Sequence, residues 1–146
     1  LLSKVEIENS YSDALDVDFS NLSFRNVIVK NSLNDCVDLS FGNYFIEKIE
    51  VSNCGDKGLS VGETSVVKMK NLVSKNTKIG LASKDYSKVF SQSIQAYDTE
   101  TCISAYKKKK EFSGGLISVE KLDCQNHINE YQVDKSSKVI FKNYEL

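Results

Sequence analysis

Apolar residues along this chain come in pairs two apart: Leu15 and Val17 in ALDV, Val27 and Val29 in RNVIVKN, Ile49 and Val51 in EKIEVSN, Leu59 and Val61 in GLSV. A period of two places alternate side chains on one face of a strand, whereas a helix needs apolar residues three and four apart. The alternating runs span three to five residues and are separated by Asn, Gly, Ser and Asp. Those residues form turns because they tolerate left-handed backbone or bond their own main chain. The pattern predicts many short strands and no helix.

The strands recur in register. Windows starting at Asn9 (NSYSDALDV), Asn31 (NSLNDCVDL), Asn53 (NCGDKGLSV), Lys75 (KNTKIGLAS) and Tyr97 (YDTETCISA) each begin twenty-two residues after the last. Their seventh positions read Leu15, Val37, Leu59, Leu81 and Ile103, and their sixth are small: Ala14, Cys36, Gly58, Gly80 and Cys102. One such unit cannot bury its apolar face alone. Stacking the next unit buries that face and pairs its backbone. Equivalent residues then lie about 4.8 Å apart and form ladders. Asn9, Asn31 and Asn53 predict an amide ladder at a turn. A leucine-rich repeat has a similar period, but its L-x-x-L-x-L-x-x-N signature is absent.

The expected fold is all-β: a parallel β-helix (solenoid) of about 22-residue coils, roughly six to seven of them, forming one domain over residues 1–146. The register breaks near 106–115, where KKKKEFSGG reads as an inserted loop of about seven residues. It resumes in LISVEKLDCQNHINEYQV, and KVIFKNYEL begins another copy.

The register and phrases such as NSLNDCVDLSF and NCGDKGLSVGE resemble the right-handed parallel β-helix proteins of the pectin-lyase-like superfamily, over essentially the whole chain. The resemblance implies an extracytoplasmic location, secreted or at the cell surface, and polysaccharide as the partner class. Members of that group bind, cleave or isomerise polysaccharides, or serve as stalks and adhesins, so a fold-level likeness leaves the function to the site. Such proteins usually carry more coils and a cap. LLSKVEI and KVIFKNYEL look uncapped, which reads as a piece of a longer chain whose neighbouring coils or domains are also partners.

Composition narrows the chemistry. The net charge of −1 gives no general attraction to nucleic acid, and no apolar run is long enough to span a bilayer. Of the four cysteines, Cys36 and Cys102 share a column but stand three coils apart, about 14 Å, too far for a disulfide. Cys54 stands in another column and Cys124 follows the insertion, so all four are expected to be small buried hydrophobes.

Stacking places Asp13 over Asp35 and Asp16 over Asp38. Asp13 and Asp35 are the candidate metal ligands, since stacked carboxylates repel one another and recruit a cation such as calcium. A solvated acidic face is the plainer account, with no cofactor. Asp16 and Asp38 are the candidate catalytic pair, although one coil is short for a glycosidase pair. Arg25, the only arginine, is the candidate base. Lys57 follows Asp13 and Asp35 in their column and is placed to neutralise them, and His127 reads as a surface residue. Candidate sugar contacts are Lys84, Asp85 and Tyr86 in SKDYS, and Tyr106, Lys107, Lys108, Lys109 and Lys110 at the inserted loop. The shortage of Arg and His favours a non-catalytic surface or scaffold region that contacts carbohydrate. The alternative is a lyase, hydrolase or epimerase acting on an acidic polysaccharide.

Overall fold

A computed structural model describes residues 1–142; residues 143–146, the end of the expected KVIFKNYEL strand, lie outside the described residues. The described residues form ten strands and no helix. They are β1 (Val5–Ser10), β2 (Leu15–Asp18), β3 (Asn21–Ser32), β4 (Val37–Ser40), β5 (Asn43–Cys54), β6 (Lys57–Gly62), β7 (Val66–Lys84), β8 (Lys88–Tyr106), β9 (Leu116–Val133) and β10 (Lys138–Phe141). Every strand pairing is parallel, and each joins a coil to the next. The chain is a parallel β-solenoid of about six turns, each with three legs: a first leg such as 21–24, a second such as 26–32 and a third such as 37–40.

Inward columns carry the core. Leu15 pairs with Val37, Val37 with Leu59, Leu59 with Leu81, and Leu81 with Ile103, as the register requires. From Val37 to Ile103 this column is at most 1% exposed. In the first coil Val5, Ile7, Leu15 and Val17 are only partly buried against the core. Gly58 is small of necessity: a Cβ there would lie 2.7 Å from the Gly80 carbonyl oxygen and 2.8 Å from Val51.

Two corners use left-handed backbone, which Asn and Asp tolerate best among residues with side chains. At the first corner Asn9, Asn31, Asn53, Asn76, Asp98 and Asn126 all have φ between 54° and 62°. Each upper amide donates to the one below: Asn31 to Asn9 at 3.1 Å, Asn53 to Asn31 at 2.9 Å and Asn76 to Asn53 at 2.9 Å. The expected ladder is present and longer than its three-residue signature. At the second corner Phe19 and Phe41 take φ of 52° and 49°, costly for bulky residues, and their rings stack at 4.6 Å. That separation matches the coil rise, so the stack offsets part of the strain.

The coils are not uniformly twenty-two residues. Ser40 pairs with Gly62 but Asn43 pairs with Val66, so one extra residue enters at Glu63–Thr64, where both φ values are positive. The next asparagine corner loses one, which restores Leu59 to Leu81. Lys75 therefore does not stand in the asparagine column; Asn76 does. The loop 107–115 adds six residues rather than about seven, because Lys84 pairs with Tyr106, 22 residues on, and Lys88 with Leu116, 28 on.

The cysteines correct the expectation of four unbridged hydrophobes. Cys36 is bonded to Cys54, with Cα atoms 5.4 Å apart, and Cys102 to Cys124, at 6.2 Å. Partners do not share a column. Cys54 stacks over Ser32, one residue past the corner Asn53, and Cys124 over Ala96, two residues before the corner Asn126, while Cys36 and Cys102 lie further along at the third leg. Each bridge joins residues offset by several register positions and one coil step together, a diagonal that a comparison down single columns misses.

Candidate functional site

The third leg carries Asp16, Asp38, Lys84 and Tyr106, and Asp13, Asp35, Asp85 and Tyr86 stand in the turns at its two ends. Asp13 Oδ1 accepts the backbone N–H of Asp35 at 3.0 Å and the Asn34 side-chain amide at 2.7 Å. Asp35 Oδ1 in turn accepts the backbone N–H of Lys57 at 3.0 Å. The two aspartates thus cap the coil above at a turn, as short carboxylates do locally. Lys57 is 8% exposed, and its Nζ lies 2.6 Å from Asp56 and 3.6 Å from Asp35. Burial pushes the Asp35 carboxyl up against the pull of Lys57. Burial would lower the Lys57 ammonium, but the Asp56 hydrogen bond and the Asp35 charge hold it above its ordinary value. Asp13, Asp35 and Asp38 offer oxygens within 4.8 Å of one another, a spacing a divalent cation can bridge. Lys57 already supplies a positive charge there.

Asp16 pairs with Asp38 in register, and Asp38 with Ser60. Burial, then Asp18, Asp38 and Asp13, push the exposed Asp16 carboxyl up. Asp38 Oδ1 and the fully buried Ser60 Oγ have no hydrogen-bond partner. Arg25 is not with them: it lies on β3 beyond the second corner, 3.9 Å from Glu47. Lys84 does share the third-leg face but is 5% exposed, with its Nζ 3.8 Å from where a Gly62 Cβ would be.

The inserted loop is folded down onto this face rather than projecting freely. Asp85, fully buried, accepts the backbone N–H groups of Lys108 and Lys109 at 2.7 and 2.9 Å. Asp134 accepts the N–H of Lys107 at 2.7 Å. Lys109 Nζ lies 2.7 Å from Glu63, which also accepts the Ser40 hydroxyl at 2.7 Å. Burial would raise the Glu63 carboxyl, but the Lys109 and Ser40 hydrogen bonds hold it below the usual range. Tyr86 meets Phe112 edge to face, at 6.3 Å. Lys107, Lys108, Lys109 and Lys110 remain exposed, Tyr86 is exposed, and Tyr106 is half-buried, its hydroxyl pushed up by burial. Glu63 went unrecognised because it occupies the one-residue insertion in GLSVGETS, outside the repeat columns.

The first leg holds a second feature that the repeat did not single out. Phe45 pairs with Lys68 and Lys68 with Phe90, all facing outward. The two rings, 39% and 37% exposed, stand two coils apart, about 9.6 Å. They line a groove of about 210 Å³ with Lys70, Gln92, Glu120 and Lys142. Lys70 Nζ sits 5.9 Å from the Phe45 ring centre.

No family model, curated protein or solved structure matches the chain. None of the described residues forms a helix long and apolar enough to cross a membrane.

Proposed function

We propose that this chain is a non-catalytic β-solenoid region, of the pectin-lyase-like kind, from a surface or secreted protein that contacts an acidic polysaccharide. The observation that carries the reading is the Phe45–Lys68–Phe90 column. Its flat apolar rings stand two coils apart, spaced like alternate sugar units of an extended chain, with an ammonium between them and Lys70 and Lys142 beside them. Aromatic faces take the C–H face of a sugar, and the lysines take its carboxylates. The third-leg candidates support the non-catalytic half: Asp13 and Asp35 are spent on capping, and Arg25 pairs with Glu47 on another leg. Two coil-to-coil disulfides fit an oxidising compartment outside the cytosol. The partly buried Val5, Ile7, Leu15 and Val17 fit a further stacked coil or domain as a second partner.

Titration calorimetry with uronate-rich and neutral polysaccharides tests this. Binding of the acidic polymer, weakened about tenfold or more by Phe45→Ala with Phe90→Ala, is the expected outcome. Equal binding by that double variant overturns the assignment of the groove.

A lyase, hydrolase or epimerase is the second reading, favoured by the unpartnered Asp38 Oδ1 and Ser60 Oγ. In it Asp13, Asp35 and Asp38 hold calcium, and Asp16 and Asp38 work on the glycan.

A further inference from the structure

The first corner brings His127 to the Cys102–Cys124 bridge. Cys124 lies on the second leg over Ala96, and His127 stacks over Thr99 once the chain has passed Asn126, whose φ is 54°. Cys102 is on the coil below, three residues beyond Thr99, and its sulfur lies 3.5 Å from the Thr99 hydroxyl. The two sulfurs and an imidazole nitrogen of His127 all fall within 4.8 Å of one another. The Cys36–Cys54 bridge has no such third donor among the described residues. Accessibility is graded across the group: Cys102 is buried, Cys124 half-buried and His127 exposed. His127 opens onto a corner groove that also holds Asp98, Glu100 and Lys78, so a reductant or a cation has a path from solvent, and two of those three charged groups favour a cation.

We infer that Cys102, Cys124 and His127 form a redox-gated site for a thiophilic divalent metal of the zinc type, masked while the disulfide is intact. Opening it takes a dithiol or phosphine reductant. With a dithiol, two electrons pass to the bridge, the S–S bond breaks, and two protons from the reductant leave Cys102 and Cys124 as thiols while the reductant becomes a disulfide. Metal binding then displaces the two thiol protons and uses the free nitrogen lone pair of His127. Two thiolates and one imidazole leave the fourth tetrahedral position to solvent, the ligand count of an open zinc site. Zinc-to-sulfur bonds of about 2.3 Å need the sulfurs about 3.7 Å apart, within reach of side-chain rotation when the backbones stand 6.2 Å apart. Exclusion of metal by the disulfide follows directly, since a bonded sulfur has no thiolate to offer.

The test is cobalt(II) titration of the intact protein with and without a phosphine reductant, read by the thiolate-to-cobalt absorption band and by circular dichroism. One cobalt per chain in the reduced protein, none in the oxidised, and affinity at least about tenfold lower in His127→Ala are expected. The variant with Cys36→Ala and Cys54→Ala should bind as the parent does. A reduced protein that keeps its strand signal yet shows no band overturns the proposal. So does a band unchanged in His127→Ala, or one lost with Cys36 and Cys54. If reduction alone melts the strands, zinc should restore them in the parent and not in His127→Ala; failure to restore them also overturns it.

Discussion

Asn126 donates its side-chain amide to the carboxylate of Asp98 at 2.7 Å, restarting a ladder that had climbed through Asn9, Asn31, Asn53 and Asn76. Each rung below is an upper N–H given to a lower oxygen. An ionised Asp98 has no hydrogen to give to Asn76, so the chain of donors stops at that coil. Asp98→Asn supplies the missing donor at a backbone conformation, φ 54°, that asparagine tolerates. The variant should be more stable by about 1 kcal/mol, the worth of one added hydrogen bond. Urea denaturation measures it, and an unchanged or lower midpoint contradicts the ladder as a stabilising element.

Lys57 is the keystone of the acidic corner. Lys57→Met keeps the length of the side chain and removes the charge between Asp35 and Asp56. Breaking one side of a buried pair leaves the other uncompensated and costs about 3 kcal/mol. The loss should appear in the denaturation midpoint at neutral pH and shrink when Asp35→Asn is added. A Lys57→Met protein as stable as the parent would mean that the acids are hydrated after all.

The Cys36–Cys54 bridge closes a loop of separation 18. By loop-closure entropy such a crosslink contributes about 3 kcal/mol. Replacing both residues by Ala should lower stability by that order, with strand content unchanged by circular dichroism. Mass spectrometry of the unreduced protein should find Cys36 joined to Cys54 and Cys102 to Cys124; any other pairing contradicts the coil register.

Rising and falling pH should act on different carboxyls. Burial raises Asp35 above its ordinary 3.8, so the folded state holds that proton more tightly than the unfolded chain. Its contribution is full below about pH 3.8 and lost as pH climbs through the folded value. Glu63 is lowered from 4.5 by Lys109 and Ser40, so its contribution is present above 4.5 and lost as pH falls through the folded value. Asp35→Asn should flatten the first decline and Glu63→Gln the second, both read from urea midpoints across pH. Identical profiles for parent and variants would contradict both assignments.

Periodicity made the solenoid legible because stacking forces equivalent residues into columns: Leu15 to Ile103 and Asn9 to Asn53 could be read directly. Diagonal contacts could not. Cys54 meets Cys36 one coil away and four register positions along, and His127 reaches Cys102 one coil away and three positions along, so neither relation shares a column position. The insertion hid a further set. The extra residue at Glu63 shifts the register of the next leg, and the folded loop brings Lys109 to Glu63 from 46 positions away in the chain. The acidic columns were legible as stacks but not as caps, because capping depends on which backbone N–H points at the carboxylate.

The most direct measurement of the central claim is turnover on uronate-rich polysaccharide, with and without calcium, followed by new reducing ends and by the ultraviolet absorbance of unsaturated products. The account expects the polymer to bind at the Phe45–Phe90 groove and to be recovered intact. Release of fragments that stops in Asp38→Asn would contradict it, and would make the third-leg face an active site.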